Sequence, residues 1–322
     1  MTTPPAPNSP PELTYYEADA ATPPLATNSV DTIITSPPYW QQRDYEVNGQ
    51  LGQEDTPEAF ADTIVEYLNG WKECLAPHGT VLLNVDDTYR DTSLQGIPAA
   101  IATRARTHGW RVLAQVTWHK PHCKPTAAGN RLKRTHEPLF VLTEANGTAP
   151  YIDRVGFLSA YPTDDPTVWS IPPASGKDHA APFPDGLARR GIHLLAPETA
   201  CTKCGVPVGR EFPETWPGEI EETLTRIRRL DTLIEHDAED DVPVDLSEAL
   251  SRAKTRLKTA IADHSSWDHC DCDAGTAPGT VYDPYVGSGT TAKVAVNEGR
   301  SGIGSDLAPP DHDPVSATLS SY

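Results

Sequence analysis

Apolar residues recur along the chain in two rhythms. Val30-Asp31-Thr32-Ile33-Ile34-Thr35 and Thr80-Val81-Leu82-Leu83-Asn84-Val85 are short, β-branched and aliphatic runs, the pattern of buried strands. Between them, apolar residues from Pro57 to Leu75 recur at helical spacing. Further strands are expected over Arg111 to Trp118, Pro138 to Thr143, Gly279 to Asp283 and Gly302 to Asp306, with a helix from Thr290 to Glu298 between the last two. Alternating strands and helices predict an α/β fold built on a doubly wound sheet.

The stretch from Gly218 to Ala262 has a different period. Ile220, Leu224, Ile227 and Ile234 fall at near-heptad spacing; after the turn signal Asp241-Val242-Pro243, so do Leu246, Leu250, Leu257 and Ile261. This predicts an antiparallel helical hairpin with arms of roughly 17 residues, each about 26 Å long, that returns the chain near its starting point. Residues 1–12, rich in Pro and small side chains, are expected to be a disordered or loosely attached tail.

At 322 residues and 38% hydrophobic, the chain can bury a full core, which excludes fibrous, disulfide-built miniature and mostly disordered classes. No run nears the roughly 18 apolar residues of a membrane span, and no signal peptide or anchor is expected. Six cysteines, four of them in close pairs, suit a metal site in a reducing compartment, so the cytoplasm is the expected location. The 45 acidic against 26 basic residues leave a net charge of −19, read as a halophilic adaptation.

That charge is unevenly spread. Thr92 to His136 contains no Asp or Glu but holds Arg104, Arg106, Arg111, Lys120, Lys124, Arg131, Lys133 and Arg134, eight positive charges without opposition in the sequence. Such a stretch is where a polyphosphate docks, and Arg104, Arg106, Lys120, Lys124, Arg131, Lys133 and Arg134 are taken as the nucleic-acid-binding set. By contrast, Glu211 to Leu250 holds 13 acidic residues against three arginines and should face solvent.

Tyr282-Asp283-Pro284-Tyr285-Val286-Gly287-Ser288-Gly289-Thr290-Thr291 follows one strand and opens a helix, so Gly287 and Gly289 allow the backbone to approach a nucleotide-type ligand. Ala292 stands where a dinucleotide fingerprint has its third glycine, which disfavours a nicotinamide cofactor. Asp306, 23 positions after Asp283, can accept from ribose hydroxyls. Near the other end, Thr35-Ser36-Pro37-Pro38-Tyr39-Trp40 sits at the carboxyl end of a strand, where ligands of open α/β sheets bind. Pro37 and Pro38 fix the backbone so that the Pro37 carbonyl and Ser36 hydroxyl can accept hydrogen bonds from an amino group, while Tyr39 offers a stacking face.

Together, Ser-Pro-Pro-Tyr early and Asp-Pro-Tyr-x-Gly-Ser-Gly-Thr-Thr late resemble the amino-group DNA methyltransferases in their circularly permuted arrangement. The resemblance implies a Rossmann-like methyltransferase sheet, S-adenosylmethionine as cofactor, double-stranded DNA as substrate and a cognate restriction endonuclease as a candidate partner. It also implies that Trp118-His119-Lys120-Pro121, Arg134 and His136-Glu137 lie beside the target base, that the segment with Phe183 completes the cofactor pocket, and that Asp19 contacts the cofactor adenine. The cofactor set is then Asp19, Phe183, Asp283, Pro284, Tyr285, Gly287, Gly289, Thr290 and Asp306, and the catalytic set is Ser36, Pro37, Pro38 and Tyr39.

Ser36 at the head of its motif points to cytosine N4, with adenine N6 as the alternative; an idle zinc-containing DNA-binding protein and an oxidoreductase are the readings from other classes. Cys201-x-x-Cys204 and Cys270-x-Cys272 supply the four thiolates of a structural zinc, with His269 as a possible replacement ligand; Cys74 and Cys123 are isolated. The expected organisation is a core at 13–200 and 273–322, the first part catalytic and DNA-contacting and the second cofactor-binding, interrupted by a zinc-knuckle and hairpin insertion at 201–272.

Overall fold

The computed structural model describes residues 7–42, 50–121, 131–162, 167–174, 183–208, 210–211, 218–236, 244–264, 266–267, 270–307 and 310. Eight strands form the main sheet: β1 (Leu13–Glu17), β2 (Val30–Thr35), β3 (Leu75–Asn84), β4 (Trp110–His119), β5 (His136–Glu144), β6 (Val168–Ser170), β7 (Thr280–Asp283) and β8 (Ser301–Asp306). Their spatial order is β1-β8-β7-β2-β3-β5-β4-β6, and all run parallel except β5.

Helices cover both faces. α1 (Pro57–Trp71) and α2 (Ile97–Thr107) lie on one; α3 (Arg154–Ala160), α4 (Asp185–Leu195) and α7 (Thr290–Asn297) lie on the other. The strand period of two sorts the core: Ile33, Val81, Leu83, Phe140 and Leu142 pack under α1 and α2, while Ile34, Leu82, Leu139 and Val141 pack under α3 and α4. Each such fully buried side chain contributes about 1.5–3 kcal/mol by leaving water. All six residues of β2 are buried, as a central parallel strand requires. Its polar members have partners: Asp31 accepts from His78 and from the Thr280 N–H, each at 2.7 Å.

α1 starts where Thr56 caps it, accepting from the Ala59 N–H at 3.1 Å, with Pro57 in the first turn. The helix ends at Trp71, short of the expected Leu75, because Leu75 already begins β3. The hairpin arms are longer than expected, α5 over Gly218–His236 and α6 over Val244–His264. Ile220, Leu224 and Ile227 of α5 and Leu257 of α6 are buried in the same core as Val155, Phe157 and Leu158 of α3, which α6 contacts. Ile261's side chain and the turn at 241–243 lie outside the described residues. In the segment expected to be a tail, the Asn8 N–H donates to the Thr276 carbonyl at 2.7 Å and the Glu12 carbonyl accepts from Gly302.

Candidate active site

β7 and β2 are parallel neighbours, with Val281 opposite Thr32. After β2 the sheet continues on one side through β3, and after β7 on the other through β8, so the crevice at their carboxyl ends is the topological switch point of an open α/β sheet. Two segments some 250 residues apart meet there: Thr35 Oγ1 donates to Asp283 Oδ1 at 2.7 Å. The Tyr285 N–H donates to the same oxygen at 3.1 Å. Burial nevertheless pushes the Asp283 carboxyl up to about 6, because these donors offset only part of the desolvation of a charge that is 5% exposed.

Beyond Asp283 the chain turns through Gly287 at φ +47° and Gly289 at φ +86°, the latter capping α7. A Cβ on Gly287 would touch nothing nearer than the Tyr285 carbonyl at 4.0 Å, so this bend presents bare backbone to an open crevice. Asp306 closes it, accepting from the Gly287 N–H at 3.1 Å. Glu17 pairs with Asp306 across β1 and β8, and the Ala18 N–H donates to the Asp306 carbonyl, which brings Asp19 to the same edge. Asp19 itself accepts from Ala21 at 2.9 Å. The Tyr285 ring lies parallel to Tyr67, with centroids 6.4 Å apart, and its buried hydroxyl has no hydrogen-bond partner among the described residues. Burial, then the hydroxyl of Tyr67 and the charge of Asp19, drive that phenol well above its ordinary range. Pro284 and Thr290 belong to the same turn. Phe183 precedes α4, whose far end lies beside the start of β7, since the Glu198 carbonyl accepts from Gly279; Phe183 is therefore at the carboxyl end of the sheet. A bare glycine bend, an orphaned buried hydroxyl and carboxylates on successive strand ends fit a nucleoside-bearing cofactor.

On the β2 side, Pro37 is buried while Ser36, Pro38 and Tyr39 are half-buried. Ser36 Oγ donates to Tyr39 Oη at 3.0 Å; Tyr39 Oη lies 2.9 Å from both Asn84 Oδ1 and Glu137 Oε2. Asn84 Nδ2 donates to Glu137 Oε2 at 3.2 Å, and Lys120 pairs with Glu137 Oε1. Burial and the Glu137 charge hold the Tyr39 phenol well above its usual range. The sequence alone gives Asn84 no role and sets Glu137 only beside the expected base. Their position depends on the antiparallel pairing of β3 with β5, which no local signal announces.

The basic stretch is not unopposed, which corrects the charge reading. The fold brings acids from elsewhere: Arg104 pairs with Asp62 at 2.5 Å, Lys120 with Glu137 and Arg134 with Asp86. Nor does the set stay together. Arg104 and Arg106 occupy the last turn of α2, just before β4 begins at the amino edge of the sheet. Lys120 and Arg134 flank the carboxyl ends of β4 and β3, Arg131 lies over the Tyr89 ring, and Lys133 follows it in the chain between Arg131 and Arg134. Lys124 lies outside the described residues.

At the amino edge, Thr199–Cys201 pairs with Pro207–Val208 and with Thr276–Pro278, the segment leading into β7. The tight turn between the first two returns the Gly205 N–H to the Cys201 carbonyl at 2.9 Å and points the Lys203 N–H at Cys201 Sγ. Cys201, Cys204, Cys270 and Cys272 thereby place four sulfurs within 4.8 Å of one another. The backbone N–H groups of Cys204 and Lys203 pull the Cys201 thiol down, while the neighbouring thiols push Cys272 up. Four such groups cannot ionise together without a cation between them, and a tetrahedral zinc with bonds of about 2.3 Å suits the set. His269 and Cys123 lie outside the described residues; Cys74 is buried and donates to the Trp71 carbonyl.

The model of the N6/N4 DNA methylase family matches residues 30–201, more than half of the chain. The type II methyltransferase M.MwoI of Methanothermobacter wolfeii is 28% identical over 61% of this chain and 30% of its own length. M.SmaI of Serratia marcescens, also named a type II methyltransferase, is 29% identical over 51% of this chain and 68% of its own. The match therefore spans under a third of M.MwoI. Among solved structures, the PvuII DNA methyltransferase (cytosine-N4-specific) superposes with a TM-score of 0.56 at 16% identity, over 94% of this chain and 86% of that one, a likeness of fold.

Proposed function

The chain belongs to the N6/N4 DNA methylase family, and from that premise we propose that it transfers a methyl group from S-adenosylmethionine to the exocyclic N4 of cytosine in double-stranded DNA. The observation that carries this reading is the 2.7 Å hydrogen bond from Thr35 to Asp283, which joins the loop of amine acceptors to the loop of bare glycine backbone. That the acceptor loop precedes the glycine loop in the chain supports the permuted arrangement. The bound cofactor supplies a methyl group already activated as a sulfonium. Gly287 and Gly289 give it close backbone approach, Asp306 and Asp19 accept from its ribose and adenine, and Phe183 and Tyr285 border it.

An exocyclic amine is a poor nucleophile because its lone pair is delocalised into the ring. By accepting its two N–H bonds, the Ser36 hydroxyl and Pro37 carbonyl favour a pyramidal nitrogen whose lone pair faces the methyl donor. The base leaves the duplex to arrive there and stacks on Tyr39, while Arg131 and Lys133 hold phosphates and Lys120 and Arg134, paired with Glu137 and Asp86, border the crevice. Ser36 favours cytosine, whose amine adjoins ring N3, because a small hydroxyl fits beside that edge while accepting from the amine. Adenine N6 is the second reading, since the matching family model covers both amines.

The four cysteines are assigned to a structural zinc that closes the 201–272 insertion on the core and contributes no chemistry. A cognate restriction endonuclease is the protein partner that the type II names of the relatives suggest. Among the described residues no helix is long and apolar enough to cross a membrane, in keeping with the cytoplasmic location proposed. Single-molecule sequencing of DNA incubated with the purified protein and S-adenosylmethionine tests the whole reading. N4-methylcytosine in one sequence context is expected. N6-methyladenine would move the assignment to the other amine, and unmodified DNA with no cofactor bound would leave an idle DNA-binding protein.

A further inference from the structure

The Ser36 hydroxyl is the first link of a chain that runs away from the amine. It donates to Tyr39 Oη at 3.0 Å, and Tyr39 in turn lies 2.9 Å from Glu137 Oε2. We propose that Ser36, Tyr39 and Glu137 form a proton relay that drains the amine as it is methylated, with Glu137 as the terminal acceptor. The proposal rests on the methyl-transfer reading above.

The acceptor amine begins with two hydrogens and ends with one. As its bond to the methyl carbon forms and the carbon–sulfur bond breaks, the nitrogen becomes cationic and must release a proton. Of the two acceptors facing it, the Pro37 carbonyl has no hydrogen to pass on, whereas Ser36 does. Ser36 takes the amine proton and hands its own to Tyr39, which hands its own to Glu137. Across the step one sulfonium charge disappears and one carboxylate charge is neutralised, so the closed site carries no net change. Glu137 returns its proton to water when product leaves.

The surroundings of Glu137 fit this task. The carboxyl is buried at 5% exposure, and each oxygen has a fixed role: Oε1 pairs with Lys120, while Asn84 Nδ2 holds Oε2 toward Tyr39 at 3.2 Å. Tyr39 has a single hydroxyl hydrogen and two acceptors at 2.9 Å, Asn84 Oδ1 and Glu137 Oε2. A carboxylate is the stronger acceptor, so the hydrogen goes to Glu137. The Ser36 hydrogen then points at Tyr39, which leaves the Ser36 lone pairs turned to the amine. In this relay Glu137 acts through its two neighbours, Tyr39 and Ser36.

The test compares wild type, Tyr39→Phe, Glu137→Gln and the double variant in single-turnover methyl transfer, run in ordinary and heavy water. Each single change should slow transfer by about 10²-fold, the usual worth of a positioned proton acceptor. The double variant should be no slower than the slower single one, because both cut the same chain. The slowing of wild type in heavy water should vanish in Tyr39→Phe, with melting temperature and S-adenosylmethionine affinity unchanged. In the protein alone, without cofactor, Glu137→Gln should shift the Tyr39 phenolic carbon resonance. If Glu137→Gln does not fold, Tyr39→Phe decides alone. A Tyr39→Phe protein with the wild-type rate and solvent isotope effect would overturn the relay and leave the methyltransferase reading standing. A wild-type protein that modifies no DNA would remove both.

Discussion

The carboxyl and amino edges of the main sheet each gather reactive side chains from distant parts of the sequence, and they do so by different means. At the carboxyl edge the work is done by strand order: β2 and β7 are hydrogen-bonded neighbours, so Ser36 and Gly287 share a crevice although their loops lie some 250 residues apart in sequence. At the amino edge the strands alone do not suffice. The hairpin of α5 and α6 carries the chain out and back, and two short strand pairings then set Cys201 and Cys204 beside Cys270 and Cys272. The first cluster is held by the core that surrounds it, the second by short strand pairings and, on the assignment proposed above, by a metal its sulfurs would bind. Damage at the first should cost chemistry, and damage at the second should cost stability.

Gly287→Val is the most severe test of the first half of that contrast. It puts a β-branched residue at φ +47° and fills the open crevice, so S-adenosylmethionine binding by calorimetry should be lost while the fold survives. Ser36→Ala should leave binding intact and lower turnover by about 10²–10³-fold, the usual effect of losing one preorganised hydrogen-bonding group. Equal turnover would remove Ser36 from the site. For the other edge, the paired change Cys201→Ser and Cys204→Ser should release a metal and lower the melting temperature, with cofactor binding by the folded fraction unchanged. A variant that kept its metal would refute the zinc assignment.

Smaller effects sharpen the comparison. The Asp283 carboxyl is raised from 3.8 to about 6, so between these values the folded protein holds a proton that the unfolded chain has lost. Stability from this group is therefore complete below about pH 4 and declines as pH rises toward 6, by up to about 3 kcal/mol for a shift of some two pH units. Asp283→Asn should remove that decline, measured as the difference in melting temperature between variant and wild type across the window. The smallest effect concerns the basic residues: Lys133→Ala should weaken DNA binding and reduce the salt slope by about 1, whereas Arg104→Ala, at the far end of α2 and paired with Asp62, should change neither.

The carboxyl edge was largely legible in the sequence because its parts lie at strand ends, where a buried β-branched run followed by Pro-Pro or Gly-x-Gly signals both the element and the ligand. The four cysteines were legible for a similar reason, since the hairpin period shows that the intervening residues fold back on themselves. What escaped depends on pairings across the sheet. Asn84 reads as one polar residue in an apolar strand, and only the register of β3 on β5 sets it between Tyr39 and Glu137. Charge was misread for the same reason: a stretch without Asp or Glu looks unopposed until Asp62 and Asp86 arrive from other elements.

The central claim is that methyl donor and acceptor amine share the crevice between β2 and β7. A crystal structure of the protein soaked with S-adenosylmethionine tests it most directly. The account predicts the donor lying along the Gly287 bend, with its sulfur turned toward the Ser36 hydroxyl and the Pro37 carbonyl. A donor seated on any other face, or with its sulfur turned away from Ser36, would contradict it.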